Sequence, residues 1–147
     1  MSGFNRSPLF YMGDKYKLLP EISKHFPNNI NRFIEPFTGG GSVYLNINAK
    51  EYLLNDIDSE IVALHKFLIA SANDPEAFFK KVIKITKTYN LSRSFEEDVV
   101  PEKLKKEFVK TYYAKFNKPG YLRLRDNFNK TKNDYAKLYV LLIYGFN

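Results

Sequence analysis

The chain contains no cysteine. That excludes a disulfide framework and any zinc site built on thiolates. Histidine is scarce, with only His25 and His65, so a His-rich metal site is not expected. Long apolar runs are missing too. The longest, residues 138–144, falls far short of the roughly 20 residues a membrane-spanning helix needs. The N-terminal Met1-Ser2-Gly3-Phe4-Asn5-Arg6 has no apolar signal core, and a cytoplasmic location is the expectation. Of the seven prolines, Pro8, Pro20, Pro27, Pro36, Pro75, Pro101 and Pro119, no two are adjacent.

What is present is the composition of a globular protein. The 147 residues are 44% hydrophobic and 27% charged, enough for one domain with a real core. Thirteen Phe and eleven Tyr are many for this length. The net charge of +7 is unevenly spread. Residues 80–137 hold 16 Lys/Arg against 7 Asp/Glu, and the remainder 7 against 9. Such asymmetry suggests a polyanionic partner, although a lysine-rich solvated surface gives the same count.

Along the chain, Leu18, Leu19, Ile22 and Phe26 recur at helical spacing, with Pro20 suited to the first helical position. Arg32-Phe33-Ile34-Glu35 reads as a short strand stopped by Pro36. The loop Phe37-Thr38-Gly39-Gly40-Gly41 follows, and Ser42 is a fair N-cap for a helix through about Ala49. Tyr52-Leu53-Leu54 reads as a second strand ending at Asn55-Asp56. Asp58 caps a helix carrying Ile61, Val62, Leu64, His65, Leu68 and Ile69. This order opens a doubly wound α/β sheet.

After residue 72 the pattern turns helical. Asp74-Pro75 opens a helix with Phe78, Phe79, Val82 and Ile83 on one side and Lys80, Lys81, Lys84 and Lys87 on the other. Residues 90–100 read as a polar loop with a solvated acidic patch, Glu96-Glu97-Asp98. Pro101 opens a helix with Leu104, Phe108, Tyr112 and Phe116, which Pro119-Gly120 is expected to break. Residues 121–128 form a short helix with Arg123 and Arg125, and residues 134–144 a helix apolar nearly all round. No third strand is evident after residue 72, and a two-stranded α/β sheet is incomplete.

Two places carry chemistry. Phe37-x-Gly39-x-Gly41, between a strand and a helix, lets a ligand approach the main chain. Alone it is a weak signal, and no Lys-Ser/Thr follows to make it a P-loop. Asp56, at the end of the next strand, stands where nucleotide-binding α/β folds place a ribose acceptor, with Asp58 already serving as the cap. The gap between the glycines and Asp56 is shorter than the dinucleotide fingerprint, which favours an adenosine-bearing ligand other than a nicotinamide cofactor. His65 is read as a packing residue.

These segments resemble a known family. Ser7-Pro8-Leu9-Phe10-Tyr11-Met12-Gly13-Asp14-Lys15-Tyr16-Lys17-Leu18-Leu19 is similar to the opening motif of the DNA adenine-N6 methyltransferases. Glu35-Pro36-Phe37-Thr38-Gly39-Gly40-Gly41-Ser42-Val43-Tyr44-Leu45-Asn46 resembles their S-adenosylmethionine loop, and Leu54-Asn55-Asp56-Ile57-Asp58 their ribose-binding strand end. Tyr144-Gly145-Phe146-Asn147 resembles the start of a motif in their DNA-contacting region. The resemblance implies an incomplete Rossmann-like methyltransferase core over residues 1–72 and a helical, basic target-recognition region over 73–147. It implies S-adenosylmethionine held by Tyr11, Lys15, Phe37, Gly39, Gly41 and Asp56, and double-stranded DNA whose phosphates meet Lys and Arg of the helical region. Arg123, Arg125 and Asn147 are the expected DNA-facing positions.

Two departures stand out. The family usually has a second glycine after Gly13, where this chain has Asp14, a carboxylate able to perturb the pocket. The family's catalytic Asp-Pro-Pro-Tyr needs adjacent prolines, and the chain has none. That motif accepts the hydrogens of the adenine amino group and stacks on a flipped base. No catalytic residue is therefore assigned, and the chain is expected to be an inactive piece of an adenine-specific methyltransferase. A non-catalytic module that binds S-adenosylmethionine or DNA is the alternative. So is one subunit of a split enzyme, partnered by the missing C-terminal half or a second chain.

Overall fold

The computed structural model describes residues 3–9, 11–96 and 100–145. The chain forms two compact units, Met1–Lys66 and Phe67–Asn147.

In the first unit a helical run opens with a 3-10 turn at Tyr16–Leu18. It continues through α1 (Leu19–Ile22), with Pro20 in its first turn, and ends in a 3-10 turn at Ser23–His25. Two strands follow, β1 (Ile30–Glu35) and β2 (Ala49–Leu54). They pair in parallel, with Phe33 opposite Tyr52 and Glu35 opposite Leu54. Phe33 is the buried anchor, edge-on to Phe26 at 5.6 Å and to Tyr52 at 6.3 Å. The Arg32–Glu51 pair at 2.8 Å spans the two strands on an exposed face and contributes little. Both strands begin earlier than the sequence suggests, by two and three residues. The extra residues, Ile30-Asn31 and Ala49-Lys50-Glu51, include polar ones that a search for apolar runs passes over.

The expected helix from Ser42 to about Ala49 does not form. A single 3-10 turn at Tyr44–Asn46 stands in its place, and Ile47 is already extended. The Asn46 side chain donates to the Ser42 carbonyl, the acceptor a helix would reserve for the Asn46 backbone N–H. Ser42 spends its hydroxyl on Asp14 rather than on a cap. The irregular crossover over residues 36–48 still satisfies the length that a parallel connection requires.

Helix α2 (Ser59–Ser71) is capped by Asp58, whose Oδ1 accepts from Glu60 N at 3.0 Å. In the second unit Asp74 caps α3 (Pro75–Thr88) through Ala77 N, and Asp134 caps α6 (Tyr135–Tyr144) through Ala136 N. Between them lie α4 (Glu102–Glu107) and α5 (Tyr112–Thr131). Ile85, Leu91, Leu124, Phe128, Ala136, Val140 and Leu141 form the core. On α3, Phe78, Val82 and Ile83 are partly buried, but Phe79 is 59% exposed and Ile85 takes the inner place.

The helix expected to run from Pro101 to Pro119 is instead two helices. The chain leaves helical geometry at Phe108 (φ −122, ψ 53) and Thr111 (φ −126, ψ 12). That segment carries the β-branched Val109 and Thr111, which lose side-chain freedom in a helix. Pro119-Gly120, expected to break a helix, lies inside α5. Proline costs the helix the bond to the Lys115 carbonyl. Packing offsets it. A Cβ on Gly120 would lie 2.1 Å from the Tyr89 carbonyl oxygen, so only glycine lets α5 meet that segment. Beside it, buried Asn117 accepts from Ser92 N at 2.7 Å and donates to Ser92 Oγ at 2.9 Å.

Candidate functional site

The parallel pairing puts two chain segments side by side at the carboxyl ends of β1 and β2, where ligands enter open α/β sheets. One is the glycine loop after β1 and the other is Asn55-Asp56 after β2. Thr38 stitches them together, its N–H and hydroxyl both donating to the Asn55 carbonyl at 2.9 Å. Two of the glycines are sterically required. Gly39 (φ +47) and Gly41 (φ +81) occupy left-handed backbone. A Cβ on Gly41 would lie 2.4 Å from Tyr44 Cε1 and 2.8 Å from His65 Cε1, while one on Gly39 would meet the Tyr11 ring at 3.2 Å.

Asp56 faces the loop with both oxygens engaged. Oδ2 accepts from Gly39 N at 2.8 Å and Oδ1 from Asp58 N at 3.0 Å. These backbone donors, Asp58 first and then Gly39, hold its carboxyl below the usual range, so it is a firmly ionised acceptor. Glu35, the last residue of β1, has the opposite environment. Burial pushes its pKa up to about 7, against a smaller lowering by the Tyr44 N–H, which donates to Oε2 at 3.2 Å.

All six residues expected at a cofactor, Tyr11, Lys15, Phe37, Gly39, Gly41 and Asp56, line one cavity of about 250 Å³, with Glu35 and Asp14 also in its wall. Phe37 stands 82% exposed over it and Ile57, next to Asp56, is 96% exposed. Lys15 reaches back to the Gly13 carbonyl. Asp14 does not project freely into the cavity. Its Oδ1 accepts from Ser42 Oγ and from Tyr16 N at 3.1 Å, tying the N-terminal segment to the glycine loop.

The residues expected at DNA lie elsewhere. Arg123 and Arg125 are exposed on α5. The Arg123 Nη2 donates to the Tyr89 carbonyl at 3.3 Å, and Arg125 pairs with Asp126 at 3.1 Å. Lys115, Lys118 and Lys130 are exposed on the same helix. Asn147 lies outside the described residues. The acidic Glu96 is bound to Arg93 at 2.7 Å, and its neighbours at 97–99 are likewise outside the described residues. Among the described residues no cluster of three or more His, Cys, Asp or Glu is placed to hold a metal ion, and no helix is long and apolar enough to cross a membrane.

Glu35, Ser42 and Tyr44 lie within the stretch that resembles the cofactor loop, but the sequence assigns them no individual role, and it reads His65 as packing. The relation of Tyr44 and His65 to the loop arises from tertiary contact.

The ionised Asp56 carboxylate can accept from hydroxyl groups, and Glu35 in the same wall can face a cationic group.

Residues 11–147 match the D12 class N6 adenine-specific DNA methyltransferase family. The chain is 29% identical over 142 residues to "Modification methylase StsI" of Streptococcus sanguinis, covering 97% of this chain and 18% of that protein. It is 31% identical over 147 residues to "Type II methyltransferase M.FokI" of Planomicrobium okeanokoites, covering 99% and 19%. It is 29% identical over 146 residues to the DNA adenine methylase of Escherichia coli (strain K12), covering 97% and 42%. The chain thus spans less than half the length of each of these relatives. With the family matched over nearly its whole length, this chain belongs to the D12 class N6 adenine-specific DNA methyltransferases.

Proposed function

We propose that this chain supplies the S-adenosylmethionine site and part of the DNA-recognition surface of an enzyme that methylates adenine N6 in double-stranded DNA. The observation that carries the reading is the single cavity at the carboxyl ends of β1 and β2, lined by Tyr11, Lys15, Phe37, Gly39, Gly41 and Asp56. Residues 1–72 are the beginning of a Rossmann-like core and residues 73–147 belong to target recognition.

Each wall has a task. Asp56 accepts from the ribose hydroxyls, a role that suits a carboxylate kept ionised by two backbone donors. The main chain of Gly39 and Gly41 meets the methionine part, which bears the ammonium and sulfonium charges. Glu35 balances that positive charge, and its ionisation is favoured when a cation arrives. Phe37 and Ile57 offer apolar faces for the purine. When bound, the cofactor supplies an activated methyl group. On α5 the cations Arg123 and Arg125 contact phosphates, giving affinity that weakens with salt.

The acceptor pair for the adenine amino group must come from elsewhere, since the sequence has no adjacent prolines. Methyl transfer then requires a further polypeptide segment bearing Asp-Pro-Pro-Tyr, in the same protein or in a second subunit. A non-catalytic module that binds cofactor or DNA is the other reading.

Calorimetric titration with S-adenosylmethionine tests the site. Saturable binding is expected, and Asp56→Ala should weaken it at least about tenfold, the effect of losing charge-assisted hydrogen bonds. Equal affinity in the variant would remove Asp56 from the site, and no binding by the wild-type chain would overturn the reading. Tritium transfer to DNA by the chain alone, above a heat-killed control, would contradict the need for a further segment.

A further inference from the structure

The glycine loop is gripped by two side chains to which the reading above gives no role. His65, on α2, is only 6% exposed. Its Nε2 lies 2.8 Å from the Gly39 carbonyl oxygen and its Nδ1 3.2 Å from the Tyr44 hydroxyl. A carbonyl can only accept, so Nε2 carries the proton and Nδ1 accepts from the Tyr44 hydroxyl. A directed chain results: Tyr44 donates to His65, and His65 donates to Gly39.

The same glycine is held from its other side, where its N–H donates to Asp56. Both polar main-chain atoms of Gly39 are therefore fixed. Two residues on, the Tyr44 and His65 rings, edge-on with centroids 5.6 Å apart, occupy the space where Gly41 lacks a side chain. Tyr44 is itself oriented by its backbone N–H bond to Glu35. A glycine-rich loop has more backbone freedom to lose than any other sequence. Fixing it before a ligand arrives removes that ordering cost from binding.

We infer that His65, oriented by Tyr44, is a positioning residue that presets the Gly39–Gly41 main chain for the amino-acid end of S-adenosylmethionine, while the nucleoside end depends on Asp56. The inference rests on the cofactor reading and adds a division of labour to it. Removing His65 weakens ligands that carry the homocysteine part and spares those that end at the thioether.

Three variants and two ligands test this. The variants are His65→Leu, His65→Gln and Tyr44→Phe. The ligands are S-adenosylhomocysteine and 5′-methylthioadenosine, which lacks the amino-acid end. Titration calorimetry gives affinities, and amide spectra of the 15N-labelled chain report on Gly39 and Gly41 without any ligand. His65→Leu is expected to shift both glycine amides. It should weaken S-adenosylhomocysteine about tenfold, the scale of one or two lost hydrogen bonds, and change 5′-methylthioadenosine by less than about twofold. His65→Gln, whose amide can still donate to Gly39, should recover most of the loss. Tyr44→Phe removes one hydroxyl and should cost about threefold. If His65→Leu does not fold, Tyr44→Phe carries the same comparison.

Equal weakening of both ligands would overturn the inference, as would unshifted glycine amides or a Gln variant no better than Leu. Failure of the wild-type chain to bind either ligand would defeat the cofactor reading and this inference with it. Shifted glycine amides would then show only that the brace holds the loop.

Discussion

Replacing Gly41 by alanine should damage the site far more than the same change one residue earlier. At φ +81 an L side chain is strained by about 1–2 kcal/mol before it meets anything. The new methyl would then lie 2.4 Å from Tyr44 Cε1 and 2.8 Å from His65 Cε1. Ordinary carbon contacts lie at about 3.5–4.0 Å, so the Tyr44 ring must retreat by about an ångström. Its freedom to do so is small, since its N–H is bound to Glu35 and its hydroxyl to His65. Overpacking of this kind adds about 1–3 kcal/mol, for a total loss of about 2–5 kcal/mol. Gly40 is the control: its backbone is not left-handed, and its Cβ would meet Tyr11 Cβ at 3.1 Å. Gly40→Ala should cost less than about 1.5 kcal/mol. Urea titration followed by far-UV circular dichroism measures both, with S-adenosylmethionine affinity as the second readout. A Gly41→Ala chain as stable and as tightly binding as wild type would refute the steric reasoning. So would a Gly40→Ala chain that is the worse of the two.

The remaining expectations concern three other contacts. Glu35, with its pKa raised to about 7 in the folded chain, binds a proton there more readily than in the unfolded chain. Its contribution to stability is therefore full below about pH 4.5 and is lost as pH rises through about 7. Thermal melts should show Glu35→Gln close to wild type at pH 5 and more stable at pH 8, while S-adenosylmethionine affinity of wild type, but not of the variant, rises between pH 6 and 8. A flat affinity profile in wild type would remove Glu35 from the charge balance of the site. Gly120→Ala would set a methyl 2.1 Å from the Tyr89 carbonyl oxygen and should destabilise the second unit by about 2–4 kcal/mol, whereas Pro119→Ala restores a helical N–H and should not destabilise. Chemical denaturation compares them, and a stable Gly120→Ala chain would contradict the close approach. Asp14→Gly and Ser42→Ala should be non-additive by about 0.5–1.5 kcal/mol in a double-mutant cycle, because each removes the same bond. Additive losses would show that the contact does no tethering.

The sequence marks some of these elements clearly and others hardly at all. Asp58, Asp74 and Asp134 each announce a helix, because a short carboxylate that accepts from the first turn is a local device. The run of glycines and Asp56 identify the cavity because backbone conformation and strand-end position are also local. Other features are decided at a distance. Ser42 looks like a cap but is taken by Asp14, 28 residues away. Pro119-Gly120 looks like a stop, yet Tyr89 and Leu91 pack against it from another part of the chain. His65 looks like any buried ring on a helix until Gly39 is found 2.8 Å from it.

The parallel ladder has a consequence for tolerance of insertions. Glu35 lies opposite Leu54, so Asp56 follows two residues beyond the pairing and reaches Gly39 at 2.8 Å. A slip of one residue would move β2 about 3.3 Å along β1 and turn every side chain to the opposite face, carrying Asp56 out of reach of Gly39. The cavity therefore works as a gauge of strand alignment. A single residue added between Leu54 and Asp56 would break that alignment.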